Sequence, residues 1–368
     1  MPTVAHLTSV HPPRDPRIFH KECRTLAAAG YDVFLVAPGA GASVVDGVHF
    51  VEFPREASRV KRALGSSRKM ADLALDLDAD VYHFHDPELL PMGRFLAARG
   101  RTVIYDAHEH LAKNTAARPY LHPLVAKPIG AVAGGFEHWV ARRLAAVVAA
   151  TPTIAEEFAP GTVVVANYPD LTEWADHGST TLDQYRRRPP RAVYVGAITV
   201  VRNGPEMIAA AAMLDTPDAE FHLAGRVSGM PEPSGQRVVY HGVLDRDGLT
   251  DLLETSRVGI SVFKPAPNAV ESLPTKTFEY MAAGLPVVVS RETTTQADLV
   301  ADAGCGVLVP HDSPAELARA VDRLLADSEM AFEMGQRGRS AVESQYSWGP
   351  QAEKLLGLYS ELAPLQRS

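Results

Sequence analysis

Short valine-rich apolar runs alternate with stretches of helical apolar spacing along most of this chain. An apolar run of about 4–8 residues bounded by turn residues is typical of a strand buried on both faces. In the first part of the chain the predicted strands cover residues 4–7, 32–37, 48–53, 81–84, 103–105 and 147–150. The helical stretches between them supply the crossovers that parallel strands need. The pattern predicts an α/β fold with a parallel sheet covered on both faces by helices.

The alternation is interrupted once, between residues 168 and 191, where the chain is polar and rich in proline. It then restarts, with predicted strands over residues 192–195, 221–224, 238–240, 258–262, 287–289 and 307–309. A length of 368 residues also exceeds what one hydrophobic core usually supports.

We therefore predict two α/β domains, a first over residues 1–170 and a second over 191–347, joined by a linker at 171–190. A helical pattern over 348–368 follows the second sheet. Its spacing does not decide which domain it packs against, and we group it with the first.

Charge and cysteine content argue against several classes of protein. The net charge is −8, whereas a dedicated nucleic-acid binder has a basic excess. The two cysteines, Cys23 and Cys305, lack the spacing of a zinc site or a disulfide framework. The first residues do not resemble a signal peptide, and no apolar run reaches the roughly 20 residues that span a bilayer. We expect a cytoplasmic protein with no nucleic-acid partner.

The most informative loop follows the predicted strand 258–262, because ligands of doubly wound sheets bind beyond the carboxyl ends of strands. Proline suits a first helical turn, so a helix is predicted to begin near Pro274 and to end at Gly284. Its N-terminal amides form an anion site suited to a diphosphate. The candidate amides are those of Ser272, Leu273 and Thr275.

Two acids flank this anion site, Glu271 before the helix and Glu279 inside it. Carboxylates accept hydrogen bonds from hydroxyls, so the pair suits a ligand with hydroxyls on both sides of a diphosphate. The alternative is that Glu279 pairs with a basic neighbour while Glu271 is a solvated loop residue. That alternative is the ordinary outcome for an arbitrary pair of glutamates.

The segment SLPTKTFEYMAAGLPVV, with the glutamate before it, resembles the Glu-x7-Glu signature of retaining GT-B glycosyltransferases of family 4. Other segments are similar to family landmarks in order and spacing: HPPRDPRIFHKE, HFHDPELLP, YDAHEH, VYVGAITVVRNG and YSW. The resemblance implies two Rossmann-like domains facing across a cleft, with the last helix crossing back to the first. It also implies retaining transfer of a sugar from a nucleoside-diphosphate sugar to a glycan, lipid-linked or small-molecule acceptor, as in bacterial polysaccharide biosynthesis.

The resemblance assigns the donor site to the second domain. Glu271 would contact hydroxyls of the donor sugar, Glu279 those of the ribose, and the amides after Glu271 the diphosphate. Family members usually add an arginine and a lysine from the loop that begins here at Gly196. This sequence departs from the pattern after Gly196, so Arg202 is our candidate for neutralising the leaving diphosphate. Lys276 is the second candidate, unless it is a solvated helix residue.

In the first domain, His108 matches the family's cleft histidine, which lies near the transferred sugar and the acceptor. Asp106 and Glu109 are expected to orient it or to bind acceptor hydroxyls. His85 and Asp86 end the preceding strand in the same way and are further candidates for the acceptor site.

Arg17 lies in the first loop, where many relatives carry a glycine pair beside the phosphates. We expect it to make a charge-assisted phosphate contact instead, so that Arg17→Ala would raise the donor KM. No DxD-like pair follows a predicted strand, and a helix N-terminus can replace a cation. We therefore expect no cofactor and no metal requirement.

Other functions remain open. A GT-B sugar-nucleotide epimerase would need no acceptor, and a phosphorylase would need a Schiff-base lysine that we cannot identify. A non-catalytic sugar-nucleotide-binding protein is favoured only by the departures at Ala197 and Asn203. An NAD-dependent dehydrogenase is a further alternative, because Gly39 and Gly41 follow a predicted strand as in a dinucleotide-binding loop. The third glycine of that motif and a helix start are missing, so the match is weak.

Residues 55–69 are locally basic in an acidic chain. This stretch could dock the protein peripherally at the inner membrane face, on anionic lipid, or bind a phosphorylated acceptor. The interpretation we favour is a solvated helix and loop.

Overall fold

The computed structural model describes residues 1–54, 59–116, 122–172, 174, 180–265 and 273–365. The chain divides into two compact units. The first is Met1–Asn167 together with Trp348–Ser368, and the second is Tyr168–Ser347.

The first unit is built on an eight-stranded sheet of order β3-β4-β2-β1-β5-β6-β7-β8. Its strands are β1 Thr3–Leu7, β2 Asp32–Pro38, β3 Ser43–Val45, β4 Val48–Phe53, β5 Val81–Phe84, β6 Thr102–Ala107, β7 Ala146–Ala149 and β8 Val163–Val164. All neighbours are parallel except β3 and β4. The register places His6 of β1 beside His83 of β5, which brings buried histidines together.

Helices of the first unit connect these strands. They are α1 Arg24–Ala29, α2 Arg59–Leu77, α3 Leu90–Ala98, α4 Leu111–Ala116, α5 Pro123–Ala141 and α6 Pro152–Ala155. A π-helical segment, Ile18–Cys23, leads directly into α1, and a 3-10 turn, Pro87–Leu89, leads into α3. Residues 18–29 thus form one continuous helical stretch, whose first six residues are π-helical. The stretch ends at Gly30, whose φ of 99° favours glycine.

The second unit has a six-stranded, fully parallel sheet of order β11-β10-β9-β12-β13-β14. Its strands are β9 Arg191–Val195, β10 Glu220–Ala224, β11 Val238–Tyr240, β12 Val258–Ser261, β13 Val287–Ser290 and β14 Gly306–Val309. Its helices are α7 Leu182–Arg187, α8 Gly204–Ala211, α9 Arg246–Glu254, α10 Thr275–Ala282, α11 Thr294–Asp302, α12 Pro314–Ala326 and α13 Ser328–Ser344. The predicted α/β fold class is confirmed, since both sheets carry buried apolar strands and interleaved helices.

The last helix, α14 Trp348–Leu362, packs on the first unit. Its Trp348, Leu355 and Tyr359 share one buried cluster with Phe19 and Leu26. The structure thus shows which unit the last helix packs against, which its helical spacing did not determine. Among the described residues, no helix is both long and apolar enough to cross a membrane.

The segment 171–190, predicted as a linker, belongs to the second unit and is anchored in it where the structure describes it. Trp174 is fully buried, and Tyr185 donates its hydroxyl to the carbonyl oxygen of Arg257 at 2.6 Å. Thr181 and Gln184 cap α7 reciprocally. Two aromatic anchors therefore hold a stretch whose polar, proline-rich composition favoured an open connection.

Candidate functional site

Gly196 follows β9 and begins the loop that the sequence pointed to in the second unit. Its amide donates to the carbonyl oxygen of Ala224 at 2.9 Å, and its φ is 115°. A Cβ at this position would lie 3.0 Å from Lys276 Nζ and 3.9 Å from Arg202 Nη1. Glycine therefore keeps open a small space on which two cations converge.

Lys276, in the first turn of α10, is buried, which contradicts the alternative of a solvated helix residue. Its Nζ lies 3.7 Å from the ring centroid of Tyr194 and 5.1 Å from that of Phe263. Within the part of the chain that is described, Nζ has no hydrogen-bond partner. Burial, and then the nearby Arg202, hold the pKa of Lys276 well below its usual range. A buried ammonium without an acceptor is costly, and an anion bound beside it would remove that cost.

Arg202 lies on the open side of the same loop. Its side chain is exposed, and its guanidinium carbon lies 5.8 Å from the Phe263 ring centroid. The next residue, Asn203, adopts a left-handed φ of 54° and donates from Nδ2 to the carbonyl oxygen of His311 at 2.8 Å. Asparagine tolerates this conformation. Asn203, one of the departures from the family pattern, therefore still permits a tight turn into α8.

The N-terminus of α10 is only partly described. The helix runs Thr275–Ala282 with Pro274 at its N-cap position, close to the predicted start. Leu273 is half-buried and Thr275 is exposed. Glu271 and Ser272 lie outside the described residues, so their donor-binding roles stay predictions.

Glu279 makes the ion pair that the sequence raised as an alternative. Its Oε1 accepts a hydrogen bond from Arg246 Nη1 at 2.8 Å, and the guanidinium carbon of Arg246 lies 5.3 Å from the Trp174 ring centroid. The side chain of Glu279 keeps 18% of its surface exposed. A ribose hydroxyl would therefore have to share this carboxylate with Arg246.

Asp106, at the end of β6, is the centre of a buried polar network in the first unit. It accepts two hydrogen bonds from Arg17, from Nε at 2.9 Å and from Nη2 at 2.8 Å. Burial alone would raise the pKa of Asp106, but Arg17, and then His108, hold it well below its usual range. The carboxyl group is therefore ionised.

Arg17 is placed differently from the expected phosphate contact. The residue is 3% exposed, and its Nη1 donates to the carbonyl oxygen of Val165 at 2.7 Å. Its Nε also lies 3.0 Å from Glu22 Oε1. The guanidinium neutralises a buried carboxylate 89 residues away, so it is not presented to solvent for a diphosphate.

His108 is oriented by Asp106, one of the two roles that the sequence allowed. Its Nε2 lies 2.7 Å from Asp106 Oδ2, and 19% of its side chain is exposed. Because an ionised carboxylate only accepts, Nε2 carries a proton and donates to Asp106, and Nδ1 lies on the other side of the ring.

His85 and Asp86 are buried rather than presented to an acceptor. His85 Nδ1 lies 3.1 Å from Asp106 Oδ2 and 3.4 Å from His108 Nε2. Asp86 accepts from the Thr8 hydroxyl at 2.8 Å and from the Ser9 amide at 2.6 Å, and it thereby holds the first loop. Of the predicted acceptor residues, Glu109 is the exposed one, and it pairs with the side-chain amide of Asn114.

The network continues from His85 to residues that the sequence did not single out. His85 Nε2 lies 3.0 Å from His6 Nδ1, and His6 Nε2 lies 3.2 Å from the Tyr359 hydroxyl. That hydroxyl lies 2.9 Å from His83 Nδ1. Burial lowers the pKa of all three histidines, so each is neutral.

When the three histidine rings are neutral, a single direction of donation satisfies every hydrogen bond in this chain. His85 donates to Asp106, His6 to His85, Tyr359 to His6, and His83 to Tyr359. Each donor points toward Asp106, and α14 supplies one member through Tyr359. The chain of bonds thus ties the orientation of His108 to the packing of the last helix.

His11 is a second histidine near His108 that the sequence analysis missed. The two ring centroids are 5.5 Å apart, and His11 Nδ1 lies 3.0 Å from Asp15 Oδ2. Burial alone would lower the pKa of His11, but the hydrogen bond with Asp15 and the charge of Asp86 raise it. Its position in the loop after β1, at the carboxyl end of a strand, is the sequence feature that could have identified it as a site residue.

Among the residues that the structure describes, two sets of side chains are close enough to hold a metal ion, with ligand atoms within 4.8 Å of one another. The sets are His6, Glu22, His83 and His85, and His85, Asp106 and His108. In the structure His6 Nδ1 and His85 Nε2 bind each other, and His85 and His108 both bind Asp106. A metal ion would have to displace these hydrogen bonds.

Two family models match the chain, one to each half. Residues 17–164 match the model described as Glycosyltransferase Family 4, and residues 202–357 match the model described as Glycosyl transferase-like. Among curated relatives, phosphatidyl-myo-inositol mannosyltransferase of Mycolicibacterium smegmatis is 25% identical over 92% of this chain and 87% of its own length. Alpha-D-kanosaminyltransferase of Streptomyces kanamyceticus is 27% identical over 47% of this chain, which spans 46% of that relative.

Solved structures match over the full length. Sucrose-phosphate synthase from Thermosynechococcus elongatus has a TM-score of 0.72 at 17% identity, with 98% of this chain and 99% of that chain covered. HepE from Anabaena, in complex with UDP-glucose, has a TM-score of 0.71 at 14% identity, with 98% and 99% covered. At these identities the likeness establishes the fold alone.

Proposed function

Since this chain belongs to the GT-B glycosyltransferases and carries a family 4 domain at residues 17–164, we propose that it transfers a sugar from a nucleoside-diphosphate sugar to an acceptor hydroxyl with retention of configuration. The observation that carries the proposal is the buried ammonium of Lys276. It lies beside the glycine turn at Gly196 and the exposed Arg202, with no hydrogen-bond acceptor among the described residues. A diphosphate has the charge and the oxygen acceptors that this arrangement lacks.

The donor binds, in this proposal, at the carboxyl end of β9 and the N-terminus of α10. Lys276, Arg202 and the first amides of α10 stabilise the negative charge that develops on the β-phosphate as the bond to the sugar breaks. Glu271 contacts the sugar, and Glu279 contacts the ribose together with Arg246. HepE was solved with UDP-glucose, so UDP and its glucose conjugate are the first donors to test.

His108 is assigned to the sugar and the acceptor, with Asp106 orienting its ring through the hydrogen bond from Nε2. No carboxylate is assigned as a covalent nucleophile. We propose same-face attack, in which the leaving phosphate helps to take the proton from the acceptor hydroxyl. The helix N-terminus and the two cations provide the charge stabilisation that a metal ion gives elsewhere, so the reaction is proposed to need no metal.

The acceptor is a glycan, a lipid-linked sugar or a small molecule, and a role in polysaccharide biosynthesis is proposed with it. A cytoplasmic location stays a prediction. Most of the basic side chains in the stretch 55–69 lie outside the described part of the structure. Arg68 and Lys69 are described, and both are exposed. Its contact with lipid or with a phosphorylated acceptor likewise stays a prediction.

Calorimetric titration of the full chain with UDP, GDP, ADP and dTDP, with magnesium and with EDTA, tests the donor site. We expect micromolar binding of one diphosphate, unchanged by EDTA and lost in Glu279→Ala. Glu353→Ala, at an exposed position of α14, is the matched control and should bind normally. Binding of none of the four, or binding only with metal, would contradict the proposed site.

Glu271→Ala tests the transfer step. If the contact with the sugar strengthens in the transition state, kcat/KM should fall ~10²-fold or more. A loss of less than about threefold would remove Glu271 from the mechanism. The anomeric configuration of the product, read by NMR from the unaltered enzyme, tests retention separately.

A further inference from the structure

Helix α5 carries a continuous stripe of exposed apolar side chains. Its members are Val125, Ile129, Val132, Phe136 and Trp139, and they are 42–74% exposed. Their spacing alternates four and three residues, which places them in one row along the helix. Single exposed apolar residues are ordinary, but a row that includes two aromatic rings marks an interaction surface.

The opposite face of α5 fixes the helix in the first unit. A Cβ at Gly130 would lie 2.5 Å from the carbonyl oxygen of Ala112, and a Cβ at Gly134 would lie 3.0 Å from Ala112 Cβ. These glycines let α4 and α5 approach closely. Glu137 accepts from the Tyr105 hydroxyl at 2.7 Å, and Val140 is fully buried. The stripe therefore faces outward because the other face is committed to the core.

The exposed charges on α5, and those on the helices packed against it, have one sign. An acid outside these helices, Glu157, lies beside Arg142 and is paired with His110. Lys127, Arg142 and Arg143 are exposed on α5 or just after it, whereas Glu137, the one acid in its sequence, is buried. The helices packed against it, α3 and α4, contain cations and no acid. The guanidinium carbons of Arg143 and Arg94 lie 4.4 Å and 5.7 Å from the Trp139 ring centroid. This local excess of positive charge occurs in a chain of net charge −8.

We propose that α5 docks this protein on an anionic lipid surface. The stripe enters the boundary between headgroups and acyl chains, with Trp139 at headgroup level and the flanking cations on lipid phosphates. Pairing with a second copy through the same stripe is disfavoured, because it would bring Lys127, Arg142 and Arg143 near their own copies with no exposed acid on the helix. The proposal does not rest on sugar transfer.

Flotation of the full chain with phosphatidylcholine vesicles, with and without phosphatidylglycerol, tests the proposal. We expect binding only to the anionic vesicles, weakened by salt. Val132→Glu should reduce binding at least tenfold, while Val243→Glu should leave it unchanged. The control is matched, because Val132 is 74% exposed and Val243 is 71% exposed in the other unit. Arg142→Gln and Arg143→Gln should each weaken binding about fivefold.

Tryptophan fluorescence gives an independent measure of insertion. Trp174 and Trp348 are buried, so a blue shift on addition of anionic vesicles reports Trp139. Equal thermal midpoints for the two glutamate variants exclude misfolding as the cause of lost binding. Equal flotation of those variants would overturn the proposal. It would also be overturned by a lipid-independent dimer that Val132→Glu dissociates, together with no vesicle binding by the unaltered chain.

Discussion

Replacing Lys276 by methionine should change stability and donor affinity in opposite directions. In the free protein, Lys276 Nζ is buried without a hydrogen-bond partner in the described structure, which costs about 1–3 kcal/mol. Its contact with the Tyr194 ring, at 3.7 Å, offsets about 0.5–2 kcal/mol of that cost. Methionine has a similar length, and its sulfur packs on aromatic rings with about 0.3–1.5 kcal/mol. We expect Lys276→Met to raise the free energy of unfolding by ~1 kcal/mol, or the Tm by about 2–4 °C.

Donor affinity should fall in the same variant. Loss of one buried charged contact to a diphosphate costs about 2 kcal/mol or more, which weakens UDP binding by about thirtyfold. Thermal unfolding without ligand and calorimetric titration with UDP measure the two effects. Lys354→Met, at an exposed position of α14, should change neither. A lower Tm together with unchanged UDP affinity would refute the reasoning, because Lys276 would then serve only the packing of α10.

Three further variants test the first unit and are followed by denaturant unfolding. Arg17→Ala leaves the buried Asp106 carboxylate uncompensated and should destabilise the protein by about 3–5 kcal/mol; a normal unfolding midpoint combined with a raised donor KM would restore the phosphate-binding role. Tyr359→Phe removes the hydroxyl between two buried histidines and should cost about 1–3 kcal/mol, and no loss would show that this part of the network is dispensable. Burial, opposed by the Tyr105 hydroxyl and assisted by a nearby carboxylate, raises the pKa of Glu137 to about 7. Because the folded pKa is raised, the group's stabilising contribution is present below the unfolded pKa and is lost as pH rises through about 7. Glu137→Gln should therefore gain about 3 kcal/mol relative to the unaltered protein between pH 4.5 and pH 8, and a difference that stays flat with pH would contradict the shift.

The order of strands and helices, and the importance of the loop before α10, could be predicted from the sequence. Those features are local: an apolar run of the right length, a glycine in a left-handed turn at Gly30, or a proline at a helix start acts within a few residues. Most predicted strands accordingly lie within one or two residues of those observed. The short strands β3 and β8 were missed, since two or three residues give no periodic pattern.

The contacts of the charged side chains could not be predicted in this way, because they depend on how distant parts of the chain pack together. From the sequence, Arg17 is predicted to be an exposed loop cation. In the structure it binds Asp106, which lies 89 residues later in the chain. The sequence allows Lys276 to be a solvated helix residue. In the structure its ammonium lies against the rings of Tyr194 and Phe263. Tyr359 meets the histidines of β1 and β5 only because α14 packs on the first unit. In each case the energy of the group depends on a partner distant in sequence, and local periodicity carries no information about that partner.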